Sequence, residues 1–578
     1  MLSKYDMKTR IILAASLLSF CIFSIVNQSC FDNSMQIRDS LEIKIDTLVA
    51  RIGISSETPG GVVGVIKDGR LIFKKAYGLA NFETKEPNTT STSFNLGSVS
   101  KQFTAAAILL LEKEKKLSFK DDIRKYFPDF PNYGYTITID NLIHHTSGIK
   151  SSDVLSLMAG TLFSKDTHEA DYDFIVRQKS LNFRPGDEFL YSNSGYVLLA
   201  KIVEKTSGIK FSKFIKERIF SPTGMIHSYI YDTPDKTTRN SATGHIRGGD
   251  EKYKKSGYLN STLVGISNVF TCIEDLLKWD DNFYRNKLGI WDFSKEMTTL
   301  TILNNGDTCK YAFGLDISEH NGLKTISHGG GTGDFSTQYI HITSERIAVI
   351  CMFNISADAS GLGYKVTDLF VKGKPKPAAA SERPEKVKVD SSMLQKYAGK
   401  YLDNNNGFEA TISRDGDHLV FEAPYQGKIE MYPSSDSSFF VTFTDDLRFI
   451  FSKDEKGEVK KATIIQRNQK YYLTYLGTDV FPLKEEQLNQ YVGDYYCEEI
   501  NVTYPVFFKD NKLYVKFPES TAEFCGVKVE SELISEHGDY FASPVSGFQF
   551  TRDTRNEVSG FILKNVGRVR NLVFIKIK

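Results

Sequence analysis

The last third of the chain carries the same pattern twice. Leu394-x-x-Tyr397-x-Gly399-x-Tyr401 returns as Leu488-x-x-Tyr491-x-Gly493-x-Tyr495. Phe451-x-x-Asp454-x-x-Gly457-Glu458-Val459 returns as Phe550-x-x-Asp553-x-x-Asn556-Glu557-Val558. An offset of about 95 residues in only two copies is no solenoid, so the repeat reads as two sequential domains. Short aromatic runs broken by turn residues predict all-β units, each a small barrel or sandwich, over 391–480 and 485–578. Ahead of them Pro375, Pro377 and Pro384 lie among charges and alanines, which marks 372–390 as a linker.

Before the linker the pattern is different. Ile37, Leu41, Ile45 and Leu48 stand at helical spacing, predicting an amphipathic helix over 34–53. Val62 to Ile66, the turn Asp68-Gly69, and Leu71 to Phe73 predict a β-hairpin. Residues 104–112 form a strongly apolar helix, and Thr271-x-x-Glu274 ahead of Leu276, Leu277 and Trp279 predicts a capping box opening another. Thr325–His328, Gln338–Ile342 and Ile347–Phe353 read as strands, and 358–370 as a helix. Strands at both ends with helices between predict an α+β domain over 34–371 with an antiparallel sheet.

Lys4, Lys8 and Arg10 precede an apolar run from Ile11 to Val26. That is an export signal over 1–30, either a signal peptide or a lipoprotein signal ending at Cys30, where a lipid could anchor the protein. The expected location is therefore exported: periplasmic, or membrane-anchored as a bacterial lipoprotein. With 72 Lys+Arg against 71 Asp+Glu the net charge is +1, so no dense basic face is available for nucleic acid. Cys272, Cys309, Cys351, Cys497 and Cys525 are widely spaced without a C-x-x-C; they read as small buried hydrophobes rather than a disulfide framework or zinc site.

Three segments carry candidate chemistry. Ser98-x-x-Lys101 places a hydroxyl and an amine one helical turn apart on one face. A serine needs a base, and a desolvated amine loses its charge readily enough to be one. By itself the spacing also suits an N-cap beside a solvated lysine. Tyr191-Ser192-Asn193 stands on a turn before an apolar helix. A neighbouring ammonium would ease ionisation of the Tyr191 hydroxyl, and Asn193 can donate to a substrate carbonyl. His328-Gly329-Gly330-Gly331 ends a strand; its glycines would let a substrate backbone approach, and their N–H groups can face an oxyanion. The adjacent His144 and His145 cannot share a metal as His-x-x-x-His does, and are expected to pack or hydrogen-bond near these loops.

In this order the three segments resemble the active-site motifs of the serine β-lactamase and penicillin-binding protein superfamily, in its class C-like branch of D-aminopeptidases, D-Ala-D-Ala carboxypeptidases and esterases. Leu142 to Ile149, Tyr77-Gly78-Leu79-Ala80-Asn81 and Tyr191 to Tyr196 support the likeness, which spans about residues 40–370. It implies a β-lactamase-like catalytic domain with a helical subdomain and no metal or cofactor. Ser98 would be the acylated nucleophile, with Lys101 and Tyr191 moving its proton. Asn193, His328, Gly330 and Gly331 would contact substrate, and the backbone N–H groups of Ser98 and Gly331 would form the oxyanion hole. The implied activity is amide or ester hydrolysis, most of all of D-amino-acid peptides; an esterase, a weak β-lactamase and a non-turnover sensor of cell-wall fragments are the alternatives. His328 replaces the usual lysine of β-lactamases, removing a fixed positive charge that holds a carboxylate. In D-aminopeptidases a loop of the last barrel reaches the active site and selects a free amino group; no such loop can be placed here from sequence, and the tail is expected to be structural or a docking module.

Overall fold

The computed structural model describes residues 40–578 except 162–167, 234–239, 249–252, 257–262, 372–383, 404–408, 424–426, 443–446, 467–468 and 478–482. The export signal, Cys30 and most of the linker lie outside the described residues.

Helix α1 (40–51) leads into hairpin β1 (Gly61–Lys67) and β2 (Arg70–Tyr77). Its turn uses Asp68 and Gly69, both at positive φ (50° and 74°), as a tight hairpin turn requires. Helices α2 (Lys101–Lys113), α3 (Ser152–Met158), α4 (Asn193–Ser207) and α5 (Ile273–Arg285) follow. Strands β3 (Asp316–His320), β4 (Leu323–Gly331), β5 (Ser336–Ile342) and β6 (Ile347–Phe353) then complete an antiparallel sheet of order β3-β4-β5-β6-β1-β2, and α6 (Ala359–Phe370) closes the domain.

Both faces of the sheet are covered, which explains why β1 and β6 are almost wholly apolar. Val63, Val65, Val349 and Cys351 pack towards α1 and α6. Val62, Ile66, Ala348, Ile350 and Met352 face the core shared with α2, α4 and α5. The period of two along each strand thus divides its side chains between two cores.

The predicted capping box does not form. The N-cap of α5 is Cys272, without a side-chain cap. Thr271 is held in a strand opposite Phe94 and bonds Ser228, while Glu274 pairs with Lys74. Tertiary partners have taken both members of the motif.

Two closed eight-stranded barrels follow, built from strands within Gly399–Gly477 and Gly493–Lys576. The α+β domain followed by two barrels is the fold class read from the sequence, and the repeat is visible atom by atom. Tyr401 donates to the Tyr397 carbonyl at 2.8 Å, and Tyr495 donates to that of Tyr491 at 2.7 Å. Phe451 packs on the first pair and Phe550 on the second. Asp454 accepts from the Lys456 and Glu458 N–H groups as Asp553 does from those of Arg555 and Glu557. The signature residues are the barrel plug and the turn that closes a hairpin.

The second barrel is docked on the catalytic domain. Val154, Leu155, Met158 and Phe174 share its hydrophobic core. Tyr504 and Thr521 donate to the carbonyls of Met158 and Leu157, satisfying the end of α3. Lys150 and Glu499 form an ion pair at 2.8 Å whose side chains are 0% and 3% exposed.

Candidate active site

The site lies where the start of α2, the start of α4 and the end of β4 meet. Ser98 occupies a short 3-10 turn, Gly97–Ser100, and α2 proper begins at Lys101. The tighter turn keeps both residues on one side: Lys101 Nζ donates to Ser98 Oγ at 3.1 Å and to the Ile266 carbonyl at 2.9 Å. Lys101 is fully buried, and the expectation of a solvated lysine beside an N-cap is set aside. Burial, reinforced by the charge of Arg568 and opposed by that of Asp153, holds its amine well below the usual lysine range.

Tyr191 packs beside them. Its ring lies 5.1 Å from Lys101 Nζ and 4.2 Å from the ring of His145. Burial raises its hydroxyl far above the usual tyrosine range, despite the easing effects of Ser98 and the Arg568 charge. The expectation that a nearby lysine would make this hydroxyl easier to ionise is therefore reversed. Desolvation wins, and the same desolvation disfavours the Lys101 charge that would have helped. The arrangement holds a neutral phenol beside an amine that gives up its proton more easily than a solvated lysine.

His144 and His145 brace these loops, as expected. His144 Nδ1 bonds the Tyr311 carbonyl at 2.7 Å, and the Ser192 N–H donates to His145 Nδ1 at 3.2 Å. Asn193 opens α4; its Nδ2 donates to Asp153 at 3.0 Å and its buried Oδ1 has no hydrogen-bond partner among the described residues.

His328 donates through Nδ1 to the Gly329 carbonyl at 2.6 Å, which leaves Nε2 to accept from the Tyr311 hydroxyl at 2.9 Å. Burial and the Lys101 charge lower its pKa to about 4. It is neutral at pH 7 and supplies no cation, as its residue type suggested.

Gly330 of β4 has a different cause from the one expected. A Cβ on Gly330 would lie 2.1 Å from the Leu96 carbonyl and 2.2 Å from Thr337 Oγ1. The group approaching it is this chain's own Ser98-bearing turn, pinned where Thr337 donates to Leu96 at 2.7 Å, not a substrate. Gly97, at φ +51°, comes so near Gly331 that an added Cβ would sit 2.8 Å from its nitrogen. This juxtaposition sets the Gly331 nitrogen against the residue that precedes Ser98. Pairing of β3 with β4 ends at Asp316–Ser327, so His328 to Gly331 present backbone on that side without a ladder partner. Gly330→Ala is expected to displace the turn, costing about 1–3 kcal/mol of stability and a disproportionate share of activity; unfolding midpoints set against kcat/KM check this.

Three groups escaped the motifs: Tyr311, Asp153 and Arg568. Arg568 stands at the turn between β7 (Val558–Val566) and β8 (Val569–Lys576) of the second barrel. Its guanidinium bonds Asp153 at 2.9 Å and lies 5.3 Å from the Tyr191 ring centre. Asn182 fixes the turn by donating to the Arg568 carbonyl and accepting from the Arg570 N–H. The tail thus reaches the active site, a contact that no sequence motif marks. Burial pushes the Asp153 carboxyl up, but Arg568, Ser151 and Asn193 outweigh it and hold it below the ordinary range. Among the described residues no cluster of His, Cys, Asp and Glu could hold a metal ion, and no helix is long and apolar enough to cross a membrane.

Known proteins share this arrangement of the chain. The beta-lactamase family model matches residues 44–366, and that of a domain of unknown function (DUF3471) matches 383–473. Penicillin-binding protein 4* of Bacillus subtilis is 30% identical over 438 residues, which are 71% of this chain and 94% of that protein. A D-aminopeptidase of Brucella anthropi is 24% identical over 532 residues, covering 89% and 95%. Among solved structures, the octameric penicillin-binding protein homologue from Pyrococcus abyssi superposes with a TM-score of 0.54 at 24% identity, covering 75% of this chain and 99% of that one. A fold in common, matched over more than half its length and carrying a serine beside a buried lysine, places this chain in the β-lactamase family as a serine hydrolase.

Proposed function

We propose that the protein is an exported hydrolase that cleaves an amide or ester bond through an acyl-enzyme on Ser98, acting on D-amino-acid peptides. The observation that carries this reading is the 3.1 Å contact between Ser98 Oγ and the amine of a fully buried Lys101. Lys101 takes the Oγ proton as the Oγ–carbonyl carbon bond forms. The oxyanion is met by the N–H groups of Ser98 and Gly331, each such donor contributing about 3–4 kcal/mol in related chemistry. Tyr191 passes its proton to the leaving nitrogen or oxygen as that bond breaks, and is reprotonated from Lys101. Water then attacks the acyl carbon, its proton returning through the same pair to Ser98 as the acid departs. No step calls for a metal.

The D-amino-acid preference draws on the named activity of the Brucella relative, and export on the N-terminal sequence. The name of the Bacillus relative supports a second reading, a penicillin-binding protein that acylates without turning over. A panel of D-aminoacyl amides, D-Ala-D-Ala peptides, nitrophenyl esters and a chromogenic cephalosporin separates them. The expected result is steady turnover of a D-configured peptide or amide, abolished in a folded Ser98→Ala variant. A single stoichiometric burst across the panel would favour the second reading; full activity in Ser98→Ala would exclude both.

A further inference from the structure

The catalytic domain alone leaves its site short of positive charge. His328 is neutral, and the amine of Lys101 is engaged with Ser98 and the Ile266 carbonyl. The cation that arrives is Arg568, brought by a different domain. Its position is built rather than incidental. The turn that bears it is clamped at both sides by Asn182, at 3.0 and 2.8 Å, and Arg570 is anchored to Glu188 at 3.0 Å. Behind it stand the buried Lys150–Glu499 pair and the shared apolar core.

An arginine presents five N–H donors in a planar fork suited to a carboxylate. One Nη is committed to Asp153, which orients the group, and a third of the side chain stays exposed. The same Asp153 holds Asn193 at 3.0 Å, so the amide and the guanidinium are set as one unit beside Tyr191. The docked barrel thus delivers a positive charge to the edge of the site.

We propose that Arg568 is a specificity-determining residue that binds a carboxylate of the substrate, so that the site prefers peptides bearing a free carboxylate near the scissile bond over their amides or amino-terminal analogues. This rests on the serine-hydrolase reading above and narrows it towards a carboxypeptidase. Asp153 does not cancel the charge, because an arginine between two carboxylates keeps favourable contacts with both, and a fork with one donor used has others to offer. Asp316, the other carboxyl near Tyr191, is pushed up to about 6 by burial and so opposes an incoming anion less as pH falls.

The test uses the full-length protein and three probes: an N-acyl-D-Ala-D-Ala peptide with a free carboxylate, the same peptide as its C-terminal amide, and a D-aminoacyl amide with a free amine. Each is measured as kcat/KM with the native chain, Arg568→Ala and Arg568→Lys, with circular dichroism and unfolding midpoints confirming the fold. The native enzyme is expected to prefer the carboxylate. In Arg568→Ala the carboxylate-to-amide ratio should fall about tenfold or more, and Arg568→Lys, which keeps the charge but loses the fork, should recover part of it. A ratio unmoved in Arg568→Ala, or a native preference for the amide or the free-amine probe, would overturn the proposal. A nitrophenyl ester turned over in a Ser98-dependent way keeps the two claims apart. If that turnover is present and the ratio is flat, only the role of Arg568 fails; if no probe shows Ser98-dependent turnover, both fail.

Discussion

Lys150→Met is expected to lower the unfolding free energy by about 3–5 kcal/mol, the usual result of leaving one member of a buried ion pair without its partner. Lys150 also donates to Ser180 at 3.1 Å, and its partner Glu499 belongs to the second barrel. The uncompensated Glu499 would have to take up a proton or draw the barrel away to reach water. Either loosens the turn that holds Arg568. The double variant Lys150→Met/Glu499→Met removes both charges and is expected to recover most of the loss, since buried pairs replaced together by apolar groups are often neutral in effect. Thermal or denaturant unfolding of the two single variants and the double variant forms a closed cycle. Little coupling between the two positions would mean that the barrel is held by its apolar contact alone.

The second large effect belongs to Lys101. Lys101→Ala is expected to reduce kcat/KM by about 10²–10⁴-fold, the range lost with a general base. Lys101→Arg should not rescue it, because a guanidinium does not give up its proton. The pH profile should show the same group. Catalysis needs the neutral amine, so activity is present above the Lys101 pKa and lost as pH falls through it. Burial and the Arg568 charge both lower that pKa, which extends activity towards lower pH. Removing Arg568 takes away a cation, raises the Lys101 pKa, and should move the acid limb of the profile to higher pH. An unmoved limb in Arg568→Ala would mean that the two charges do not sense each other through the site.

How far sequence could lead is seen residue by residue. Ser98 and Lys101 were legible because their contact is local: three positions apart on one turn, whatever the rest of the chain does. The paired tyrosines of the tail were legible because each copy repeats the same short-range bond between them. The apolar runs of β1 and β6 were legible as strands, while their burial on both faces shows only in the fold. Thr271-x-x-Glu274 misled because the motif is local but the competitors for its side chains, Ser228 and Lys74, are not. Gly330 reads from the sequence as room for a substrate backbone, yet its reason is a carbonyl at Leu96 brought against it by folding. Asp153 and Arg568 carried no signal at all. An aspartate in the first turn of a helix and an arginine in a hairpin turn are ordinary, and only the docking of a barrel at the far end of the chain makes them neighbours. The direction of the Tyr191 shift is hidden from the sequence for a related reason: proximity can be read from a motif, but burial depends on everything packed around it.

Those long-range contacts give the tail a role in the site, and the central claim remains the chemistry at Ser98. Intact-mass analysis after exposure to a fluorophosphonate, whose phosphorus takes the place of the substrate carbonyl carbon, tests it most directly. The account predicts one adduct per chain, located on the peptide that contains Ser98, slowed sharply in Lys101→Ala and absent in Ser98→Ala. An adduct on another residue, or undiminished hydrolysis by a protein in which Ser98 is alanine, would contradict it.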